Sequence, residues 1–252
     1  MAEPLSPAQA PRRAASLIRK RIEAGGERLW RMTDFRDLPC TAVAQAFSRL
    51  AKDGVIERLS KGVYYRSRQT ALGKSRPNPR TLRALLSPRQ NAFPAGLAAA
   101  NLLGFSTQIA SRTELATTGL SLPRKLVGQD TLIHSRRPQA WTVLSAQEAA
   151  LLDFLRRGGQ YSELSPKATT RKVLSLVAAP GCFERLLKVA STEPPRVRAI
   201  LGAIGEHVGK ATRGLRQLRA SLNPFSKFDF GLLSALPNAL AWQAKEQLDE
   251  TV

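Results

Sequence analysis

Thr41-Ala42-Val43-Ala44-Gln45-Ala46-Phe47-Ser48-Arg49-Leu50-Ala51-Lys52, closed by Asp53-Gly54, is the stretch on which the fold turns. Val43, Ala46, Phe47 and Leu50 recur at i, i+3, i+4 and i+7, the spacing of one apolar helix stripe facing a core. The opposite face carries Thr41, Gln45, Ser48 and Lys52, with Arg49 beside them. That face holds donors and cations but no acid. An ordinary solvated face mixes both signs, whereas a DNA-facing one sets donors against phosphates and base edges. Gly54 suits the left-handed position that ends a helix.

On the C-terminal side, Val55–Ser60 and Val63–Arg66 are rich in β-branched and aromatic residues, and Ser60-Lys61-Gly62 turns them into a hairpin. On the N-terminal side, Leu29–Met32 reads as a short strand that pairs with this ribbon. Thr33 is placed to cap a short helix, Asp34–Leu38, with Asp34 favourably near its N-terminus. Pro39 closes that helix, and Thr41 can either cap the next one or touch a base. Helix, break, helix and ribbon together make a winged helix-turn-helix, with its second helix in the major groove and its ribbon on the backbone or minor groove. The alternative is a plain α+β domain with a basic outer face. The DNA-contact candidates are Thr41, Gln45, Ser48, Arg49 and Lys52 on the recognition helix, and Arg58, Lys61, Arg66 and Arg68 on the wing and the linker after it.

The 252 residues allow one large or two small domains, and 43% hydrophobic residues suffice for real cores. Lys and Arg number 39 against 19 Asp and Glu, a net charge of +20 with a pI near 11.2. The excess is densest early, for residues 1–80 hold 17 basic and 7 acidic residues. Such a balance is the footprint of nucleic-acid binding, though charge alone does not separate DNA from RNA. Cys40 and Cys182 fit no metal-ligand spacing and point to a reduced, cytoplasmic chain. The N-terminus lacks the apolar core of a signal peptide, and Ala95–Phe105 is too short to span a bilayer, so a soluble protein is expected.

The fold class expected is α+β: a winged helix-turn-helix followed by a mixed helical domain with a small antiparallel sheet. Residues 1–10 form a loose N-terminus, 11–67 the winged helix, 68–80 a basic linker and 81–252 the second domain. The first helix runs from Pro11 to about Ala24 with Ala14, Leu17, Ile18 and Ile22 inward. Lys74, Arg76 and Arg80 in the linker add possible phosphate contacts. In the second domain a short helix around Leu82, Leu85 and Leu86 ends at Pro88, and Pro94–Leu103 forms another. Thr113–Thr118, Arg124–Val127 and Thr131–Arg136 read as the three strands. Ser145-Ala146-Gln147-Glu148 is a capping box before Ala149–Arg157. Further helices cover Thr169–Ala179, Cys182–Ala190 and Pro195–Val208, and the Leu222–Phe230 tail before Trp242 packs onto this domain.

These residues resemble a known family. Thr33-Asp34-Phe35, Ala42-Val43-x-x-Ala46-Phe47-Ser48-Arg49-Leu50, Gly54-x-Ile56 and Lys61-Gly62-Val63-Tyr64 are similar to the winged helix of AbiEi-type antitoxins of type IV toxin–antitoxin systems, in their DUF6088 branch. Ala98-Ala99-Ala100-Asn101-Leu102-Leu103-Gly104-Phe105-Ser106-Thr107-Gln108, Thr118-Gly119, Arg124-Lys125 and Pro194–Ala203 extend the resemblance from about residue 12 to 245. It implies an antitoxin whose winged helix represses its own promoter at inverted repeats in double-stranded DNA. The C-terminal domain would help neutralise a nucleotidyltransferase-like toxin without a stable complex. The implied DNA contacts are Gln45, Ser48, Arg49 and Lys52 on the helix, with Arg58 and Lys61 on the wing.

No catalytic set emerges from the residues. His134 and His207 stand alone, so neither a multi-histidine metal site nor a Ser-His-Asp relay assembles. Gly205–Ala211 superficially matches a P-loop but has too few residues between its glycines and Ala where Mg²⁺ needs a hydroxyl. The expectation is a non-enzyme with no cofactor, no metal and no membrane partner. The alternative is a winged-helix factor that delivers a cryptic, nuclease-like C-terminal domain to nucleic acid, with Asp130, Asp153 or Asp229 carrying a metal. An RNA-binding module is disfavoured, because adjacent Tyr64 and Tyr65 point to opposite faces of a strand and give no stacking platform.

Overall fold

The computed structural model describes residues 9–71, 73–75, 91–209 and 213–246, with side chains from residue 14 onward. The expected loose N-terminus up to residue 8, Arg76, Arg80 and the helix expected around Leu82–Leu86 lie outside the described residues. The chain divides into two compact units. One takes in the chain up to Leu86 together with Pro123–Gln129, and the other Ser87–Leu122 together with Asp130 onward.

The N-terminal unit begins with α1 (Gln9–Ala24) and β1 (Arg28–Arg31), then a 3-10 turn at Met32–Phe35 and α2 (Cys40–Lys52). The wing, β2 (Glu57–Ser60) and β3 (Val63–Arg66), follows, and then a small hairpin of β4 (Gln69–Thr70) and β5 (Gly73–Lys74). The strand order β1-β3-β2 is antiparallel, with Trp30 opposite Tyr64 and Arg58 opposite Tyr64 on its other side. Ile18, Ile22, Trp30, Phe35, Val43, Ala46, Phe47, Leu50, Ile56 and Tyr64 form the core. Its aromatic rings meet in sequence: Trp30–Phe35 at 5.7 Å, Phe35–Phe47 edge-on at 5.4 Å and Phe47–Tyr64 at 4.7 Å. This is the winged helix-turn-helix that the residue pattern predicts.

Local details differ from the expectation. The helix expected at Asp34–Leu38 is instead the 3-10 turn that begins two residues earlier, because the Asp34 carboxylate accepts the Arg31 N–H at 2.9 Å and closes the turn there. Thr33 is therefore not its cap. α2 starts at Cys40 directly behind Pro39, whose backbone is already set for a helix entry, and the Thr41 hydroxyl caps nothing. Leu17, expected inward, is exposed, while Ala14, Ile18 and Ile22 are buried as expected. The first part of the expected linker is the β4–β5 hairpin. Ser75 locks it by donating its N–H to the Arg68 carbonyl at 2.8 Å and accepting the Arg68 N–H on Oγ at 2.7 Å.

Beyond the N-terminal unit the chain runs β6 (Ala92–Pro94), α3 (Gly96–Leu102), β7 (Glu114–Thr117), then α4 (Arg124–Val127) and β8 (Leu132–His134), all but α4 lying in the C-terminal unit. α5 (Ala146–Arg156), α6 (Pro166–Val177), α7 (Cys182–Ala190), α8 (Pro195–His207) and α9 (Arg213–Ala220) follow, with 3-10 turns at Gln139–Val143, Gly231–Ala235 and Leu240–Trp242. Arg124–Val127, expected as a strand, is a single helical turn, and it belongs with the N-terminal unit. The sheet β6-β7-β8 is consequently mixed, β6–β7 antiparallel and β7–β8 parallel, where an all-antiparallel sheet was expected. A parallel pair requires a crossover between its strands, and residues 118–131 supply it.

The capping box forms as read: Ser145 Oγ accepts the Glu148 N–H at 3.2 Å and the Glu148 carboxylate accepts the Ser145 N–H at 2.8 Å. The core packs Phe105 flat on Phe154, with ring centroids 4.1 Å apart. The tail buries Phe230, Leu233, Leu236 and Trp242 in the same core, as expected. The Trp242 ring lies so close to Gly202 that a Cβ there would sit 2.1 Å from it.

Candidate nucleic-acid interface

The amphipathic pattern of α2 fixes what it presents to solvent. With Val43, Ala46, Phe47 and Leu50 buried, Thr41, Gln45, Ser48, Arg49 and Lys52 all project outward and are exposed. Among the described residues none of the five side chains has a hydrogen-bond or ion-pair partner. Gly54 takes φ +72°, and the chain reverses so that Val55 and Ile56 both donate their N–H to the Leu50 carbonyl, at 3.0 and 3.4 Å. That reversal brings the wing alongside α2. An open groove lies between them, walled by Ala44, Ser48 and Lys52 from the helix and by Arg58, Lys61 and Gly62 from the wing. Arg58 and Lys61 are exposed and their side chains have no partner among the described residues. Three cations, Lys52 from the helix, Arg58 from β2 and Lys61 from the turn, thus border one groove, an arrangement suited to a run of phosphates.

Two of the expected wing cations are used differently. Arg66 gives Nη1 to the Ile22 carbonyl at 2.7 Å and also to the Glu23 carbonyl, so it closes the C-terminal end of α1. Unsatisfied carbonyls at a helix end attract a cation, and β3 pairs with β1 where that end emerges. Arg66, expected as a phosphate contact, thus has its Nη1 committed to backbone carbonyls in this structure. Arg68 stays largely exposed, 3.8 Å from the Glu27 carboxylate. Glu27 accepts the Tyr65 hydroxyl at 2.5 Å. That bond, with help from Ser75 and Arg68, holds its carboxyl below the usual carboxylate range.

The sequence reading missed the support beneath the wing. Tyr64 faces the main core, and Tyr65, on the other face of β3, packs with Leu59 and Leu126 of α4, with Leu29 alongside. Lys125 Nζ donates to the Arg58 carbonyl at 3.2 Å and lies 3.5 Å from the Glu57 carboxylate. Nothing in the winged-helix stretch itself signals a partner sixty residues downstream.

In the C-terminal unit His134 is not alone. Its Nε2 lies 2.8 Å from Glu114 Oε2, and Arg157 Nη2 lies 3.2 Å from the same oxygen. Arg157 Nε meets Asp153 Oδ2 at 3.1 Å, Arg137 Nη2 meets Asp153 Oδ1 at 2.7 Å, and the Gly96 N–H donates to Asp153 at 2.9 Å. Two carboxylates are matched by two guanidiniums, so the cluster is charge-balanced and internally bonded. Asp153, one of the acids of the nuclease-like alternative, is spent in it. Asp229 accepts the Gly231 N–H at 2.8 Å, and neither it nor Asp130 joins Asp153. Among the described residues no group of three or more His, Cys, Asp or Glu could hold a metal ion, and no helix is long and apolar enough to cross a membrane. Cys40 is exposed at the start of α2, whereas burial pushes the Cys182 thiol up to about 11.

A family model described as "Family of unknown function (DUF6088)" matches residues 26–160, which takes in β1, α2, the wing and the start of the C-terminal unit through α5. Among solved structures the chain is similar to the crystal structure of the RV2827C protein from Mycobacterium tuberculosis. The identity is 19% over 91% of this chain and 88% of that one, with a TM-score of 0.42. No curated protein matches the chain.

Proposed function

We propose that this chain, which belongs to the DUF6088 family, is a sequence-specific DNA-binding repressor serving as the antitoxin of a type IV toxin–antitoxin system. The observation that carries the reading is the acid-free outer face of α2 beside the wing's Arg58 and Lys61, all of whose side chains lack partners among the described residues. In this reading α2 enters the major groove. Gln45 bonds the two edge atoms of adenine and Arg49 those of guanine, each discriminating by about 1–3 kcal/mol. Thr41 at the start of α2 and Ser48 beside Arg49 give shorter contacts. Lys52, Arg58 and Lys61 take phosphates, adding affinity without sequence preference. The DNA is the protein's own promoter, read at inverted repeats, and the functional partner is a nucleotidyltransferase-like toxin neutralised without a stable complex. The reading assigns no catalytic residue and no cofactor, and it places the protein in the cytoplasm.

The test is a titration of the promoter and of a random duplex at several salt concentrations. Arg49→Ala is expected to lose preference at one operator position, by about 5- to 100-fold. Lys61→Ala is expected to weaken both duplexes alike and to flatten the slope of log affinity against log salt by about one unit. Equal losses on both duplexes for both variants would refute the division of roles, and no preference of the wild type for its promoter would refute the repressor.

A further inference from the structure

The wing is completed by a piece of chain that the winged-helix sequence does not contain. Between β7 and β8 the backbone leaves the C-terminal unit, contributes Pro123–Gln129 to the N-terminal one, and returns at Asp130. This piece is braced on itself. The Pro123 carbonyl accepts the Leu126 N–H at 2.8 Å, the Arg124 carbonyl accepts the Gly128 N–H at 2.8 Å, and Arg124 Nη1 donates to the Gln129 carbonyl at 3.1 Å. It presents Leu126, 2% exposed, to Leu59 and Tyr65, and Lys125 to the Arg58 carbonyl and the Glu57 carboxylate. A three-stranded sheet needs apolar cover to hold its shape, and β1-β3-β2 has the main core on one face only. On the other face Leu59 and Tyr65 are buried together with Leu126. Both contacts also bracket Arg58, which lines the groove beside α2.

We propose that Pro123–Gln129 is a strap that holds the wing against solvent-driven fraying and sets its angle to α2, with Leu126 and Lys125 as positioning residues for Arg58 and Lys61. The strap's effect on DNA rests on the repressor reading; its effect on the wing does not. Loss of the Leu126 side chain uncovers Leu59 and Tyr65, so the wing samples other angles and its cations miss the phosphates. The recognition helix, built on the opposite face, keeps its geometry.

The experiment uses the full chain as wild type, Leu126→Ala, Lys61→Ala, Arg49→Ala and the two double variants. Amide hydrogen exchange in β2 and β3 should quicken about tenfold in Leu126→Ala while α2 and α8 keep their protection. Affinity for the promoter and for a random duplex should fall by a similar factor, about tenfold. Lys61→Ala should then cost little more in the Leu126→Ala background, whereas the Arg49→Ala loss should multiply unchanged. Unaltered exchange in the wing, or full multiplication of the Lys61→Ala and Leu126→Ala losses, would overturn the strap. If Leu126→Ala does not fold, Lys125→Ala supplies the same comparison with a shift of about two- to threefold. A wild type without preference for its promoter would sink the repressor reading instead, and the exchange result would then decide the strap alone.

Discussion

Arg66 stands on a strand beside the wing, and its charge and position read as a phosphate contact, yet its guanidinium is bonded to the last carbonyls of α1. Amphipathic spacing reports which way a side chain leaves its own element; it says nothing of a helix end 44 residues earlier in the chain that needs a cation. Arg49, Lys52, Arg58 and Lys61 were legible because helix and hairpin periodicity alone turns them outward. His134 was illegible for the opposite reason, since its partners Glu114 and Arg157 come from a neighbouring strand and a helix end. Arg66→Ala is expected to lower the stability of the N-terminal unit by about 1–2 kcal/mol, the worth of a charge-assisted bond at a half-buried site. A thermal melt checks this. Promoter affinity well below the transition should stay unchanged, and a loss that follows the salt slope of Lys61→Ala would return Arg66 to the DNA face.

Elements were easiest to read where both ends are marked. α5 carries a capping box, α7 runs over the expected Cys182–Ala190, and α2 ends at an Asp-Gly pair. Arg124–Val127 has no such punctuation, and four residues with two apolar ones at the end fit a strand or a helical turn equally well. The direction of β8 depended on that choice, because strand residues alone do not tell a parallel neighbour from an antiparallel one. The start of α3 is set by packing. Gly96 has φ +56°, and a Cβ on it would stand 2.3 Å from the Glu114 carboxylate. Gly96→Ala should therefore strain the backbone and push Glu114 away from His134 and Arg157, with an expected loss of about 2–4 kcal/mol. Chemical denaturation of the full chain measures it, and a variant as stable as wild type would show that the cluster yields freely.

Over the whole molecule the net charge of +20 makes acid the hostile direction. Several carboxylates add to this. The Thr107 N–H first, then Ser106, the Thr107 hydroxyl and Gln108, hold Glu163 below its usual 4.5. Arg21 does the same for Asp37, and Tyr65 for Glu27. At Glu148 burial is the largest influence and pushes upward, but the Ser145 and Arg185 bonds together outweigh it and the carboxyl is lowered. A carboxyl lowered on folding stabilises the fold above its unfolded value and loses that contribution as pH falls through its folded one. Stability is thus expected to hold at neutral pH and to decline below about pH 4.5, the ordinary carboxyl value. Glu163→Gln should flatten that acid limb while changing stability least at the acid end, where the carboxyl is protonated in both states, as urea unfolding across pH would show. An acid limb identical to wild type would mean that the Ser106–Gln108 loop does not depend on the charge. This loop lies in the Leu103–Gln108 block that carries the family resemblance, and its bonds to Glu163 give the block a structural use.

The discontinuous N-terminal unit also has a bearing on synthesis. A ribosome that has released the first hundred residues has delivered α2 and both wing strands, but not Leu126. On the repressor reading and with the strap proposed above, the partial product would present its cations to nucleic acid only through a slack ribbon, which would tighten once the crossover has emerged. Operator grip would in this way be deferred until translation has passed Gln129, and prematurely terminated chains would compete weakly with finished ones for the promoter.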